Sequence, residues 1–457
     1  MRMQSLVSTF LLAGAASAQI ASGNLVVLRV GAGANPLSSA AQAMFLDEYT
    51  TSGALVQSLA LPTAANGAQL PIACSGSASS EGNLQLSPDG RWLTCAGYAT
   101  APGLASVASS AAAVTPRVVA RIGLDGSIDT STSISNAFSG NNVRSAATAN
   151  GTDFFVAGAN SGINHVVLGA GTASALHVTN PQNTRTVAIW NQQLYCSSSA
   201  QGFHSVSQVG TGVSTAGGQT VTALLGLPAT SSASPYDFFF ADAQTLYIAD
   251  DRTAGGLGGI QKYVESAGAW QFQYTLNPAT TIGCRGLTGT VANGVVTLYC
   301  TTTTTSTNSL LAIVDTGPTA TFTTLATAGT NTVFRGVRLT TPSNYVTRIP
   351  HGCGNLTLNG IGDASLGTSF VTTLGGATGL GFIGYGFVAI PQPLCGACTI
   401  GHEWAAPLFG TSSSFNIPQN QAFVGITIAI QGADGFGLGG CQVPQVVLSD
   451  TLTITLH

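Results

Sequence analysis

The sequence predicts an all-β fold, and three observations carry that expectation. A strand–turn–strand unit recurs through the first three-quarters of the chain. Incomplete groups of strands stand at the two ends of that repeat. The last hundred residues are Gly-rich, strand-like and supplied with their own four cysteines.

The repeat shows most plainly when "DFFFADAQTLYIADD", from Asp237, is set beneath "RTVAIWNQQLYCSSS", from Arg185, so that Leu194-Tyr195 and Leu246-Tyr247 fall in register. "RSAATANGTDFFVAG" from Arg144 fits with one extra residue, and "RGLTGTVANGVVTLYCTT" from Arg285 with a longer turn. "EGNLQLSPDGRWLTCAG" from Glu81 has the same shape. Alternating apolar residues around Asn-Gly, Asp-Gly or similar polar pairs mark these copies as hairpins. Two more strands follow each hairpin, as "GGIQKYVESAG" and "AWQFQYTLN" do after Asp250. Four short antiparallel strands recurring roughly every 40–55 residues are the pattern of propeller blades.

Five complete blades start near Glu81, Arg144, Arg185, Asp237 and Arg285. Three strands without a first one, "NLVVLRV", "MFLDEYT" and "ALVQSLA", precede them, and one strand without a blade, "NTVFRGVRL" from Asn331, follows. Together these make a sixth blade whose pairing hides the edges of an open sheet. The expectation is a six-bladed propeller over residues 19–345; a seventh blade in the long stretch before Glu81 is the alternative. A small β-sandwich is expected over 350–457, from runs such as "FVTTLGG", "GFIGYGFVAI", "AFVGITIAIQG" and "DTLTITL".

The chain starts Met-Arg, runs through an apolar stretch from Leu6 to Ala16, and reaches Ala16-Ser17-Ala18 before Gln19. That reads as a secretory signal peptide over 1–18. A membrane span needs about 20 apolar residues, which no segment supplies. No cysteine follows the cut, which argues against a lipoprotein anchor. Localisation is therefore expected to be secreted or at the cell surface. Net charge is −4, and Lys262 is the single lysine. The basic footprint of a nucleic-acid binder is missing. Nine cysteines in an exported chain favour disulfides with a thiol left over. Cys284 with Cys300 is the expected cross-strand pair, Cys74 reaches toward Cys95, and Cys196 is left free and buried.

The segment "GCG…DASLGTSF…GFIGYG…PLCGACTIG…SSSFNIP…FVGITIAIQG…LSDTLTITL", from Gly352 to the end, resembles a C-terminal module of secreted proteins of planctomycetes and related bacteria. The resemblance implies an extracellular module without established catalysis. "FLDEYT" and "LYIADDRTA" likewise resemble stretches of uncharacterised exported bacterial propellers, which implies a fold and no activity. Within the module, Cys395-x-x-Cys398 with His402 and Cys441 has the residue types of a zinc site. Two disulfides are the expected reading, because the second Cys-x-x-Cys of a zinc ribbon is absent. No cofactor is expected. His165, His177, His204 and His351 stand alone in sequence and read as strand or loop residues.

Familiar catalytic motifs are missing: no Gly-x-Ser-x-Gly, no phosphate loop, no His-Glu-x-x-His. The acids of "DDRTAGGLGG" lack EF-hand spacing, and Glu48, Glu81, Glu265 and Glu403 are the only glutamates. Charge offers a better lead. Only 7% of residues are charged, against about 25% in an average chain, yet "TLYIADDRTAGG" sets Asp250, Asp251 and Arg252 side by side. Aligning first strands puts Glu81, Arg144, Arg185, Asp237, Arg285 and Arg335 at one mouth of the channel, overlooked by that triplet. Guanidinium forks without enough carboxylates suit carboxylate, sulfate or phosphate groups. The competing reading is scaffolding, with each arginine capping a carbonyl or acid of its neighbour.

The leading functional expectation is an extracellular binding or structural protein, with an acidic polysaccharide or cell-surface component as partner. The alternative is a lyase-like enzyme on acidic polysaccharide, with Tyr236 or a histidine moving the proton. A third reading is a passive envelope component.

Overall fold

The computed structural model of the chain describes residues 19–456, apart from 89, 192, 229–232, 253–257, 280–281, 293, 341–345, 350, 363–368, 396–397, 419–422, 424–425, 438–439 and 443–444. The expected signal peptide, the first residue of the Asn293-Gly294 turn and Thr253–Gly256 of the charged loop lie outside the described residues. The chain divides into two compact units, Met1–Thr341 and Pro342–His457.

Six four-stranded antiparallel sheets build the first unit. Five are made from consecutive strands, each opening on one of the hairpins read in the sequence. Their first strands are Leu84–Leu86, Val143–Thr148, Thr184–Trp190, Pro235–Asp242 and Cys284–Ala292. The sixth takes the strand Val333–Leu339 and sets it beside Leu25–Val30, followed by Met44–Tyr49 and Leu55–Ala60. Leu25 stands opposite Leu339 and Val27 opposite Val337. The first strands pack on one another in a cycle: Val333–Leu339 on Leu84–Leu86, then round through Val143–Thr148, Thr184–Trp190, Pro235–Asp242 and Cys284–Ala292, back to Val333–Leu339. All seven residues of Val333–Leu339 are buried.

Close approach of these strands needs residues without side chains at two places. A Cβ on Gly286 would lie 2.6 Å from the Arg335 carbonyl oxygen, and one on Gly336 would collide with the Leu84 backbone nitrogen. Between sheets the core is apolar, as where Ala147 and Phe155 of one meet Val187 and Leu194 of the next.

Five of the six first strands carry a register shift against a neighbour; Leu84–Leu86 pairs without one. The shift falls between Val143 and Ser145, Thr184 and Val187, Pro235 and Phe238, and Cys284 and Leu287. In the closing strand it falls opposite Val27 and Arg29, between Val337 and Phe334. Such bulges re-aim side chains, and here they decide which residue of each strand is comparable with which. Pro235 opposite Asp250 matches Thr184 opposite Ser198 and Cys284 opposite Thr302. The counterpart of Arg185 and Arg285 is therefore Tyr236, and Asp237 sits one residue further on.

That offset sends Asp237 into the interior, where it is fully buried. Arg338 donates to it from Nη1 at 2.7 Å and from Nη2 at 2.9 Å, and the Leu287 amide donates at 3.1 Å. Arg338 Nη1 also reaches the carbonyls of Leu287 and Val337, both at 2.7 Å. One ion pair thus joins three first strands.

Cys95, Cys196 and Cys300 occupy second strands in matching register, opposite Leu84, Val187 and Leu287. All are buried thiols, as are Cys74 and Cys284. The disulfides expected between Cys284 and Cys300 and between Cys74 and Cys95 are therefore not formed here. The Cys284 and Cys300 sulfurs stand 3.0 Å apart, in contact without a bond.

In the second unit, one sheet runs Val346–Ile349, Gln445–Thr455, Thr427–Gly435, Leu380–Cys395, Cys398–His402, with Ala406–Phe409 pairing Leu380–Cys395. A three-stranded sheet holds Thr357–Gly362, Ser369–Gly375 and Ser412–Asn416. Leu358, Phe370 and Leu374 of the smaller sheet share a core with Ile383, Ile430 and Leu452 of the larger. Disulfides join Cys353 to Cys398 and Cys395 to Cys441. The sulfurs of Cys395, Cys398 and Cys441 lie within 4.8 Å of one another, but these bonds leave no thiolate for a zinc ion. His402 does not join them; its Nδ1 lies 2.7 Å from the Glu403 carbonyl oxygen. Among the described residues no helix is long and apolar enough to cross a membrane.

Removing one partner of a buried ion pair strands the other charge, at a cost of about 3–5 kcal/mol. Arg338→Met or Asp237→Asn alone is expected to lower the first unit's stability by that order in urea unfolding. The double substitution Asp237→Leu with Arg338→Met should recover a large part of the loss. Single variants as stable as the parent would contradict the assignment.

Candidate functional site

The bulge position of five first strands carries Arg144, Arg185, Tyr236, Arg285 and Arg335. Arg185 lies over the Tyr236 ring, its guanidinium carbon 4.2 Å from the centroid, and Arg285 lies over the same ring at 5.5 Å. Arg335 shares one small cavity with Tyr236 and Arg285, lined also by Ser79, Ser80 and Glu81 among others. The structure thus brings these arginines together around Tyr236, a residue that the alignment of first strands passed over. Counting from Leu194-Tyr195 and Leu246-Tyr247 sets Asp237 under Arg185, whereas the observed strand pairing sets Tyr236 there.

Each arginine also caps a carbonyl, and two of the caps repeat. Arg144 Nη1 donates to the Thr184 carbonyl at 2.8 Å, on the next first strand. Arg185 Nη1 donates to the Pro235 carbonyl at 2.8 Å, again on the next first strand. Arg285 reaches the Thr303 carbonyl at 3.0 Å and Arg335 the Gly76 carbonyl at 3.0 Å. Scaffolding is therefore part of their work, as it is for fully buried Arg117, which is held by the carbonyls of Thr115, Ser110 and Asn141.

Of the four acids expected at the mouth, Asp237 and Asp250 are paired inside the fold. Asp237 is buried with Arg338, as described. Glu81 lines the cavity but is buried and takes three hydrogen bonds. It accepts from Tyr98 Oη at 2.5 Å, Asn142 Nδ2 at 2.6 Å and the Ser75 amide at 2.8 Å. Burial outweighs these donors and pushes its carboxyl above the usual range. Within the triplet, Asp250 is fully buried. Its oxygens accept from Arg252 Nε at 2.8 Å, the Ser234 amide at 3.1 Å and Gln261 Nε2 at 3.0 Å. Asp250 and Arg252 thus form an internal pair rather than a charged rim. Only Asp251 reaches the cluster, where Arg285 donates to it at 3.2 and 3.3 Å.

The remaining guanidiniums have neutral partners. Arg144 donates to Ser80 and Asn183, and Arg185 to Ser234. Burial, with Arg185 nearby, lowers the pKa of Arg144. Arg335 is only 5% exposed, and its Nε and Nη1 have no hydrogen-bond partner. Burial first, then the like charge of Arg285, pull its pKa down to about 10. The one lysine is used elsewhere: Lys262 pairs with Asp315 at 2.8 Å, tying the fifth consecutive-strand sheet to its neighbour. Chemically, the cluster offers guanidinium donors and one aromatic ring in a partly desolvated setting, where charge-assisted bonds are strong.

No family model matches the sequence, and no curated protein matches it. Solved structures resemble it loosely. A candidate 6-phosphogluconolactonase from Bacteroides uniformis shares 13% identity at a TM-score of 0.40, covering 68% of this chain and 84% of its own. A chain of the nidogen/laminin complex shares 13% identity at 0.41, covering 69% and 97%. Hydrazine synthase of Kuenenia stuttgartiensis shares 11% identity at 0.36, covering 65% and 76%. Alignments this loose assign no chemistry.

Because burial holds the Glu81 carboxyl above its usual range, its proton affects stability in a defined direction. Below about pH 4 folded and unfolded chains both carry the proton. As pH rises the unfolded chain releases it first, so this group subtracts stability until pH passes the raised folded value. Glu81→Gln is expected to flatten that decline in urea unfolding followed from pH 4 to pH 7. An unchanged pH profile would contradict it.

Proposed function

We propose that the chain is an exported binding protein whose first unit is a six-bladed β-propeller, closed by the strand Val333–Leu339. In this reading the arginine cluster lies at one mouth of the channel and takes the carboxylate or sulfate groups of an acidic glycan at the cell exterior. The second unit is the extracellular β-sandwich module that its sequence resembles. The carrying observation is the convergence of Arg185 and Arg285 on the Tyr236 ring, with Arg335 in one cavity with Arg285 and Tyr236 behind them. Four guanidiniums gather where Asp251 and the buried Glu81 are the carboxylates named beside them, a balance that favours an anionic partner. The Tyr236 ring adds a flat apolar face of the kind that stacks on sugars.

A second reading, β-elimination on an acidic polysaccharide, draws on Tyr236 alone, whose hydroxyl would move the proton while an arginine neutralises the uronate. It requires unsaturated products, detectable by their ultraviolet absorbance.

The test is titration of the full chain with oligosaccharides of uronic acids and with sulfated glycans. Arg185→Gln with Arg285→Gln is expected to weaken binding by about 1.5–3 kcal/mol for each lost charge-assisted bond, over and above the fall in melting temperature from the carbonyl caps and the Asp251 pair that are lost. Failure of every acidic glycan to bind, or binding unaffected by both substitutions, would sink the proposal.

A further inference from the structure

We infer that the cavity beside Arg335 is a halide site that holds a chloride ion against the Arg335 guanidinium. The inference rests on the same arginine cluster as the glycan reading but not on a glycan ligand.

Three observations lead to a single-atom anion. The first is the orphaned donors. Arg335 is nineteen-twentieths buried, and only its Nη2 has an acceptor, the Gly76 carbonyl at 3.0 Å. Its Nε and Nη1 have none. Buried donors without acceptors are rare in native proteins and call for an occupant. The second is charge. Water would satisfy the N–H groups but not the cation, and Arg285 lies close enough to press on Arg335 with like charge. An isolated buried charge is far costlier than an unmade hydrogen bond. Asp251 is taken up by Arg285; Glu81 offsets the Arg335 charge in part, but its hydrogen bonds come from Tyr98, Asn142 and the Ser75 amide and leave the Arg335 donors unmet.

The third is size. The cavity measures ≈ 20 Å³, the room of about one water-sized sphere. A chloride ion is a single atom of comparable bulk, whereas a carboxylate or sulfate group needs several. Ser79 and Ser80 line the same cavity, and a serine hydroxyl can donate to a bound ion. Ser80 accepts from Arg144 Nε, so its own proton is available. The glycan reading then acquires an inner and an outer part: a halide deep against Arg335, with the larger acidic groups meeting Arg185 and Arg285 outside it.

Two measurements on the full chain test this. Thermal unfolding is compared in sodium chloride and sodium gluconate at equal ionic strength. Chloride is expected to raise the first unit's melting temperature by about 2 °C or more, and Arg335→Gln should abolish the difference. Crystals grown in sodium bromide should show an anomalous peak within hydrogen-bond distance of Arg335 Nε or Nη1. The bromide experiment decides by itself if Arg335→Gln does not fold. Equal melting in the two salts, a salt difference that survives Arg335→Gln, or no peak beside Arg335 each overturns the inference. Acidic-oligosaccharide titration in both salts separates it from the glycan reading. Glycan binding without any chloride response removes the halide site and leaves that reading, while a chloride response without glycan binding does the reverse.

Discussion

Pairing of Val333–Leu339 with Leu25–Val30 is the constraint on which the first unit depends. It is the longest-range strand pairing in that unit, joining residues separated by nearly the whole of it. Without it, Leu25–Val30 would present an unpaired edge, and the cycle of packed first strands would be broken between Cys284–Ala292 and Leu84–Leu86. Sheets with open edges invite pairing with other chains. The pairing is reinforced from inside by Arg338, which crosses to Asp237 two first strands away. A buried ion pair adds little net stability over an apolar replacement. Its role here is to fix which strand closes the cycle and in what register, since a shifted strand would leave both charges unpaired.

Charge is scarce in this chain, and part of it serves such ties. Arg338–Asp237 and Lys262–Asp315 each hold one segment against another, while Arg252–Asp250 is a local pair two residues apart. The bulges then separate two kinds of position on the five first strands that carry them. One carries Arg144, Arg185, Tyr236, Arg285 or Arg335. The next carries Thr186, Asp237, Gly286 or Gly336, where neighbouring strands come closest. A guanidinium at the first position can cap a carbonyl and still leave donors over, because five N–H groups outnumber the acceptors nearby. Scaffolding and binding are therefore not exclusive for these arginines. Arg335 shows the combination most clearly, with one nitrogen on Gly76 and two without an acceptor.

The hairpins were legible because period-two alternation and turn residues are local signals, and the unpaired groups at the ends implied a partner for Asn331 onward. Matching positions of Cys95, Cys196 and Cys300 were legible for the same reason. What escaped was anything set by a bulge. The Asp237 strand has a second shift, between Phe240 and Asp242, that the Arg185 strand lacks. Counted from Leu246-Tyr247, Asp237 therefore aligns with the arginines in sequence yet lies one residue further on, in the interior. The same slip kept Tyr236 out of the aligned ring, although its phenol is a candidate proton carrier in the lyase reading. Glu81 precedes its strand, Leu84–Leu86, by three residues yet lines the same cavity as Arg285 and Arg335; what the sequence did not show is its burial against Tyr98 and Asn142. The carbonyl caps could not be read at all, since backbone acceptors leave no mark in a sequence. Cys284 and Cys300 were rightly placed face to face, but their oxidation state is not a property of spacing.

Amide hydrogen exchange tests the closure most directly. If Val333–Leu339 is integral to the first unit, its amides open only with global unfolding. They should then exchange as slowly as those of Val187, Leu194 and Ile248, which lie in sheets on the far side of the cycle. Exchange from Val333–Leu339 that is orders of magnitude faster, while those three stay protected, would show the strand to be an appendage and would contradict the account.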